Sequence, residues 1–120
     1  MLNKLTSKAA HLLKGEAAER CAHQFLVKQG LELVCRNYRC RSGELDLIML
    51  DQQTLVFIEV RFRKNDKYGS AVETITAAKQ SRIIAAAQYY LATRQTDRPM
   101  RFDVVAISGD GRIDWIKNAF

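Results

Sequence analysis

Leu45, Leu47, Ile48, Met49 and Leu50, then Leu55, Val56, Phe57, Ile58 and Val60, form two apolar runs on either side of a polar stretch, Asp51, Gln52, Gln53 and Thr54. Runs of this length around a short polar turn predict a β-hairpin. Each run carries an acid where an apolar side chain would continue it: Asp46 between Leu45 and Leu47, and Glu59 between Ile58 and Val60. A carboxylate embedded in a buried strand has to be paired, hydrogen-bonded or bound to a cation to offset the cost of leaving water. The hairpin is therefore also the first place to look for chemistry.

Ala18, Ala22, Phe25 and Leu26 recur at helical spacing, and Gly30 follows as a C-terminal stop, predicting a helix over residues 16–29. Ahead of it lie Lys4, Lys8 and Lys14 with few large apolar side chains, and Gly15 is expected to interrupt any helix through them. The chain thus reads as a basic, mobile arm over residues 1–14 and one folded domain over residues 15–120. Leu31, Leu33 and Cys35 alternate with Glu32, Val34 and Arg36 in a first strand over residues 31–37, whose faces the apolar Val34 leaves ambiguous. Tyr38, Arg39, Cys40, Arg41 and Ser42 then lead to Gly43 as a basic loop. Past the hairpin, Arg63, Lys64 and Lys67 continue the basic character to Tyr68, Gly69 and Ser70. Ser70 or Thr76 is placed to cap a second helix with Ile83, Ala87, Tyr90 and Leu91 on its apolar face. After a breaker at Asp97, Arg98 and Pro99, residues 101–107 read as a strand around a third embedded acid, Asp103, and residues 112–117 as a short last strand with Trp115. Helix, three strands, helix, two strands predicts an α/β fold with a central mixed β-sheet flanked by helices.

Composition narrows the class. With 120 residues, 48% hydrophobic and 27% charged, the chain fits a single folded domain. No apolar run reaches the roughly 18 residues of a membrane span, and the N-terminus lacks the apolar block of a signal peptide. The expectation is a cytoplasmic protein with no membrane partner. Cys21, Cys35 and Cys40 are an odd count without the two-residue spacing of a zinc or redox pair, and read as reduced thiols. A net charge of +6 with a pI near 9.5 favours a polyanionic partner. It would equally suit an interaction module whose basic face meets an acidic protein.

Two hard oxygen ligands on adjacent strands, completed by water, suit magnesium or manganese better than zinc, and His11 and His23 add no zinc pattern. The same acids could equally form a metal-free ion-pair network with Arg61, Arg63 or Arg101, and the residue pattern does not decide between the two. Asp103, two residues from Arg101 on one strand face, reads as structural. Arg36, Arg39 and Arg41 around Tyr38, with Lys79, Gln80 and Arg82 at the start of the second helix, are candidates for phosphate contacts.

An acid in a strand, a hairpin turn and then Glu59-Val60-Arg61 resembles the PD-(D/E)xK, restriction-endonuclease-like superfamily of metal-dependent nucleases. More narrowly, Gly15-Glu16-Ala17-Ala18-Glu19, Asn37-Tyr38-Arg39, Gly43-Glu44-Leu45-Asp46-Leu47-Ile48, Phe57-Ile58-Glu59-Val60-Arg61, Tyr68-Gly69, Lys79-Gln80 and Arg101-Phe102-Asp103-Val104-Val105 resemble the YraN-like family of uncharacterised bacterial proteins, similar in outline to archaeal Holliday-junction resolvases. The resemblance implies a restriction-endonuclease-like fold and Mg2+ (or Mn2+) held by Asp46, Glu59 and the Val60 carbonyl. It further implies a catalytic group of Glu16, Asp46, Glu59 and Arg61, and DNA, branched in the resolvase analogy, as substrate. Arg36, Arg39, Arg41, Arg63, Lys64, Lys79 and Gln80 would then contact the nucleic acid. A symmetric junction would call for a homodimer. The superfamily places a lysine where this chain has Arg61, and arginine cannot act as a base. That departure keeps a non-catalytic DNA-binding protein on a degenerate nuclease scaffold as the alternative, and makes Lys79 the candidate substitute.

Overall fold

The computed structural model describes residues 7–63 and 72–120, with side chains from residue 15 onward. Lys64, Lys67, Tyr68, Gly69, Ser70 and the lysines of the expected arm lie outside the described side chains.

Helix α1 spans Ser7–Lys28 and runs through Gly15, so the expected interruption there does not occur. A lone glycine costs a helix only about 1 kcal/mol relative to alanine, which continuation on both sides can offset. Its C-terminus is where the pattern put it. Gly30, at φ +100°, lets its own N–H reach the Val27 carbonyl and the Leu31 N–H reach the Leu26 carbonyl, both at 3.0 Å.

Strand β1 (Glu32–Cys40) extends three residues past its expected end and takes in Arg39, leaving only Arg41 and Ser42 as the turn to β2 (Gly43–Asp51). β2 pairs antiparallel with β3 (Thr54–Arg63) from Asp51↔Thr54 to Leu47↔Ile58. A 3-10 turn at Val72–Thr74, absent from the sequence expectation, precedes helix α2 (Ala77–Arg94). Thr76 caps α2, its Oγ1 accepting from the Lys79 N–H at 3.1 Å. Strand β4 (Met100–Ser108) pairs parallel with β3, and β5 (Ile113–Ile116) pairs antiparallel with β4. The sheet order is β1-β2-β3-β4-β5, with α2 as the crossover.

Each helix buries its apolar face on one side of this mixed sheet. Ala18, Ala22 and Leu26 of α1 pack with Leu47, Met49, Val56, Ile58 and Val105. Ile83, Ala86, Ala87 and Tyr90 of α2 pack with Leu45, Ile48, Phe57, Phe102 and Val104. The result is a three-layer α/β arrangement compatible with a restriction-endonuclease-like fold. Asp103 is fully buried and satisfied: it accepts from Arg101 Nε at 3.0 Å, Trp115 Nε1 at 2.9 Å and the Asn118 N–H at 3.0 Å. Its structural role is as expected. Arg101 also bonds Asp51 at 3.0 Å, so the ion-pair network it was a candidate to form lies around Asp103 and the hairpin turn rather than around Asp46.

Two irregularities shape the sheet edge. The β1–β2 register shifts between Leu33 and Cys35, which leaves Val34 as a bulged residue and explains why alternation could not assign its face. Between the pairs Arg36↔Leu47 and Tyr38↔Leu45 lie Asn37, at φ +52°, and Asp46. Asparagine tolerates the left-handed region better than most residues. Alternation in β2 breaks at the same level, since Leu45 and Ile48, three residues apart, both face α2.

Candidate metal and nucleic-acid site

That break places Asp46. The β2–β3 ladder ends at Leu47↔Ile58, and just beyond it Asp46 Oδ2 accepts the Val60 N–H at 2.9 Å. The carboxylate does the work of a backbone carbonyl and lies across the gap between the strands. Glu59, next to Val60 on β3, is only 5% exposed, and its carboxyl and that of Asp46 are within hydrogen-bonding reach of each other. The two acids of the hairpin therefore meet on one site.

Two cations stand over Glu59. Lys79 Nζ, from the first turn of α2, is 3.6 Å from Glu59 Oε2, and Arg61 Nη1, two residues along β3, is 3.7 Å from the same oxygen. Arg61 is anchored elsewhere as well, since its Nη2 donates to the Thr74 carbonyl at 2.9 Å. Burial, then the Asp46 charge, pushes Glu59 up from 4.5 to about 8, and Lys79 and Arg61 only partly oppose this. Burial also raises Asp46, against the lowering effect of its bond from the Val60 N–H.

The acid of α1 that bears on this pair is Glu19. Burial raises its pKa first, followed by the charges of Asp46, Glu44 and Glu16. Glu16 itself is exposed and lines a small cleft of about 190 Å³ with Glu19, Arg20, Arg36 and Asn37. Helical spacing contained the distinction. Relative to buried Ala22, Glu19 is turned about 60° and Glu16 about 120° around the helix axis, so Glu19 sits at the rim of the buried face.

The donor set suits a hard divalent cation: carboxylate oxygens crowded in burial, whose mutual repulsion a dication would relieve, gathered with no third His, Cys, Asp or Glu ligand among the described residues. Among the described residues no three His, Cys, Asp or Glu side chains are gathered closely enough to enclose an ion unaided. Asp46 and Glu59 would hold it with water completing the shell, as magnesium prefers.

The other sequence candidates distribute around this end of the sheet. Arg36, Arg39 and Arg41 are exposed, Arg39 being tied to Glu44 at 3.2 Å. Arg63 is half-buried at the end of β3, and Gln80 turns back to donate to the Ile75 carbonyl at 3.2 Å. Val60 contributes its N–H to Asp46. Lys64 lies outside the described residues. Arg82, absent from the set carried over from the resemblance, is exposed on α2 one turn from Lys79 and makes no ion pair or side-chain hydrogen bond with any described residue.

Residues 18–107 match the model of the uncharacterised protein family UPF0102. A UPF0102 protein of Nitrosomonas europaea is 55% identical to this chain over 109 residues, covering 89% of the chain and 92% of that protein. One from Nitrosococcus oceani is 50% identical, covering 93% and 94%, and one from Pseudomonas fluorescens 48% identical, covering 92% and 95%. No described helix is long and apolar enough to cross a membrane.

Proposed function

Given that the chain belongs to the uncharacterised protein family UPF0102, we propose that it is a nucleic-acid-binding, nuclease-like protein that hydrolyses DNA phosphodiesters with Mg2+ or Mn2+, within the PD-(D/E)xK superfamily. The observation that carries this reading is the convergence of Asp46 and Glu59 from neighbouring strands, with Lys79 against Glu59. A divalent cation there supplies charge neutralisation for a phosphate and acidifies water. The chain's own residues do the rest. Val60 fixes the orientation of the Asp46 carboxylate, so the pair is set before substrate arrives. Arg61, held by the Thr74 carbonyl, presents a permanent positive charge beside Glu59 where negative charge would build on a phosphate. Lys79 can release and accept a proton as Arg61 cannot, and its Nζ is as near to Glu59 as the Arg61 guanidinium is. Of the two cations beside Glu59, it is the one suited to handle a proton.

The second reading, a DNA-binding protein without catalysis, draws on Arg61, whose guanidinium satisfies Glu59 and Thr74 as a structural residue would. Incubation with linear, flapped and branched DNA plus magnesium or manganese separates the two. The nuclease reading expects cleavage that Asp46→Ala abolishes while salt-sensitive DNA binding persists. Absence of cleavage on every substrate, or cutting at the wild-type rate by Asp46→Ala, overturns it.

A further inference from the structure

A cleft of about 300 Å³ opens beside the acid pair on the α2 side, lined by Arg39, Gly43, Glu44, Lys79, Arg82 and Ile83 among others. It is continuous with the site through Lys79, which both lines the cleft and approaches Glu59. Three cations line it against one anion, and Glu44 is already engaged by Arg39 at 3.2 Å. Arg82 is left as an exposed guanidinium without a partner among the described residues. The rim of the β1–β2 hairpin closes on α2 at Gly43, where a Cβ would stand 3.0 Å from the Arg82 carbonyl. Hairpin and helix thus meet backbone to backbone.

We infer that this cleft is a subsite for a single DNA strand, in which Arg82, with Lys79, holds the phosphate adjoining the one presented to Asp46 and Glu59. The inference rests on the nuclease-like reading for the direction of the strand, but not for its binding. At about 300 Å³ the cleft has the size of a nucleotide-scale group, so a single strand can enter it where a duplex could offer only an outward phosphate. Glu59 lies recessed at 5% exposure, so a phosphate must be carried in past Lys79 rather than offered from the face of a rigid helix. A flap or overhang satisfies both conditions. The guanidinium fork of Arg82 suits a phosphate better than a base edge, so the subsite should be blind to sequence.

The test is fluorescence anisotropy of the full chain with a fluorescein-labelled oligodeoxythymidylate and with a duplex of equal length, in EDTA, across a salt series. The wild type should favour the single strand. Arg82→Ala should weaken single-strand binding roughly fivefold at about 0.1 M salt and lower the slope of log affinity on log salt by roughly 0.7, the loss of one phosphate contact. Arg82→Lys should retain most of that slope. Arg98→Ala, which removes the same charge at the opposite end of the sheet where Arg98 bonds Gln53, should leave binding unchanged. Equal losses from Arg82→Ala and Arg98→Ala, or a wild-type preference for duplex, would overturn the subsite. If manganese-dependent cleavage requires Asp46 but Arg82→Ala binds as the wild type, the subsite fails and the hydrolytic reading stands. If nothing is cleaved but the Arg82 effect is found, the subsite stands without the hydrolysis.

Discussion

In the metal-free protein burial and the neighbouring Asp46 favour the protonated form of Glu59. Its folded pKa of about 8 lies above the usual 4.5 because burial and Asp46 both disfavour the second charge. Between those two values the folded chain holds a proton that the unfolded chain has lost, so the contribution of Glu59 to stability is complete below about pH 4.5 and is lost as pH rises through about 8. Denaturant melts across this range should show wild-type stability falling, and Glu59→Gln should flatten the fall, leaving the variant more stable than the wild type by on the order of a few kcal/mol near pH 9. A parallel decline in both proteins would place the titration elsewhere. The third acid divides by position on α1. Glu19→Gln should weaken manganese binding on the order of tenfold with the fold intact, as loss of a partner behind the ligands does, and Glu16→Gln by no more than about twofold. Both glutamates stand in the motif carried by the family resemblance, and only the phase of the helix relative to Ala18, Ala22 and Leu26 separates them.

Among the elements, the hairpin, the two helices and the two C-terminal strands were legible because apolar period and turn residues agreed, as at Gln52 and Gln53 between the closing pair Asp51↔Thr54. What periodicity could not carry was any place where a strand departs from alternation. The bulge at Val34 and the left-handed Asn37 opposite Asp46 are tertiary solutions, and the second of them sets the site. Gly15 was misleading for the converse reason, since a penalty of about 1 kcal/mol is small beside continued helix on both flanks. The cap at Thr76 positions the turn that carries Lys79, and Thr76→Ala should cost about 1 kcal/mol in thermal or denaturant unfolding. At the other end, Asp103→Ala would leave Arg101 with Asp51 alone and unbond Trp115 Nε1 and the Asn118 N–H. A loss of roughly 3–5 kcal/mol, with a red-shifted Trp115 emission, is the expected outcome. A change below about 1 kcal/mol would show that the network is dispensable.

At the scale of the whole molecule, the described arginines are sorted along the strands by what engages them. Arg98 and Arg101 at the hairpin-turn end are engaged by Gln53, Asp51 and Asp103, whereas Arg20, Arg36, Arg41 and Arg82 at the acid-pair end have no side-chain partner among the described residues. Among the described residues these unengaged guanidinium groups flank the place where Asp46 and Glu59 meet, and on the proposed reading they would steer DNA to acids that would otherwise repel it. Bulk charge in the sequence favours a polyanion as partner; the pairing pattern of the described arginines is what singles out an end of the sheet for the proposed one. Whether Asp46 and Glu59 together hold a divalent cation is tested most directly by calorimetric titration of manganese into the full chain. One site per chain is expected, with uptake releasing a proton from Glu59 when measured below about pH 8 in buffers of different ionisation heat, and with no binding by folded Asp46→Ala. Binding that survives Asp46→Ala unchanged, or no binding by the wild type, would contradict it.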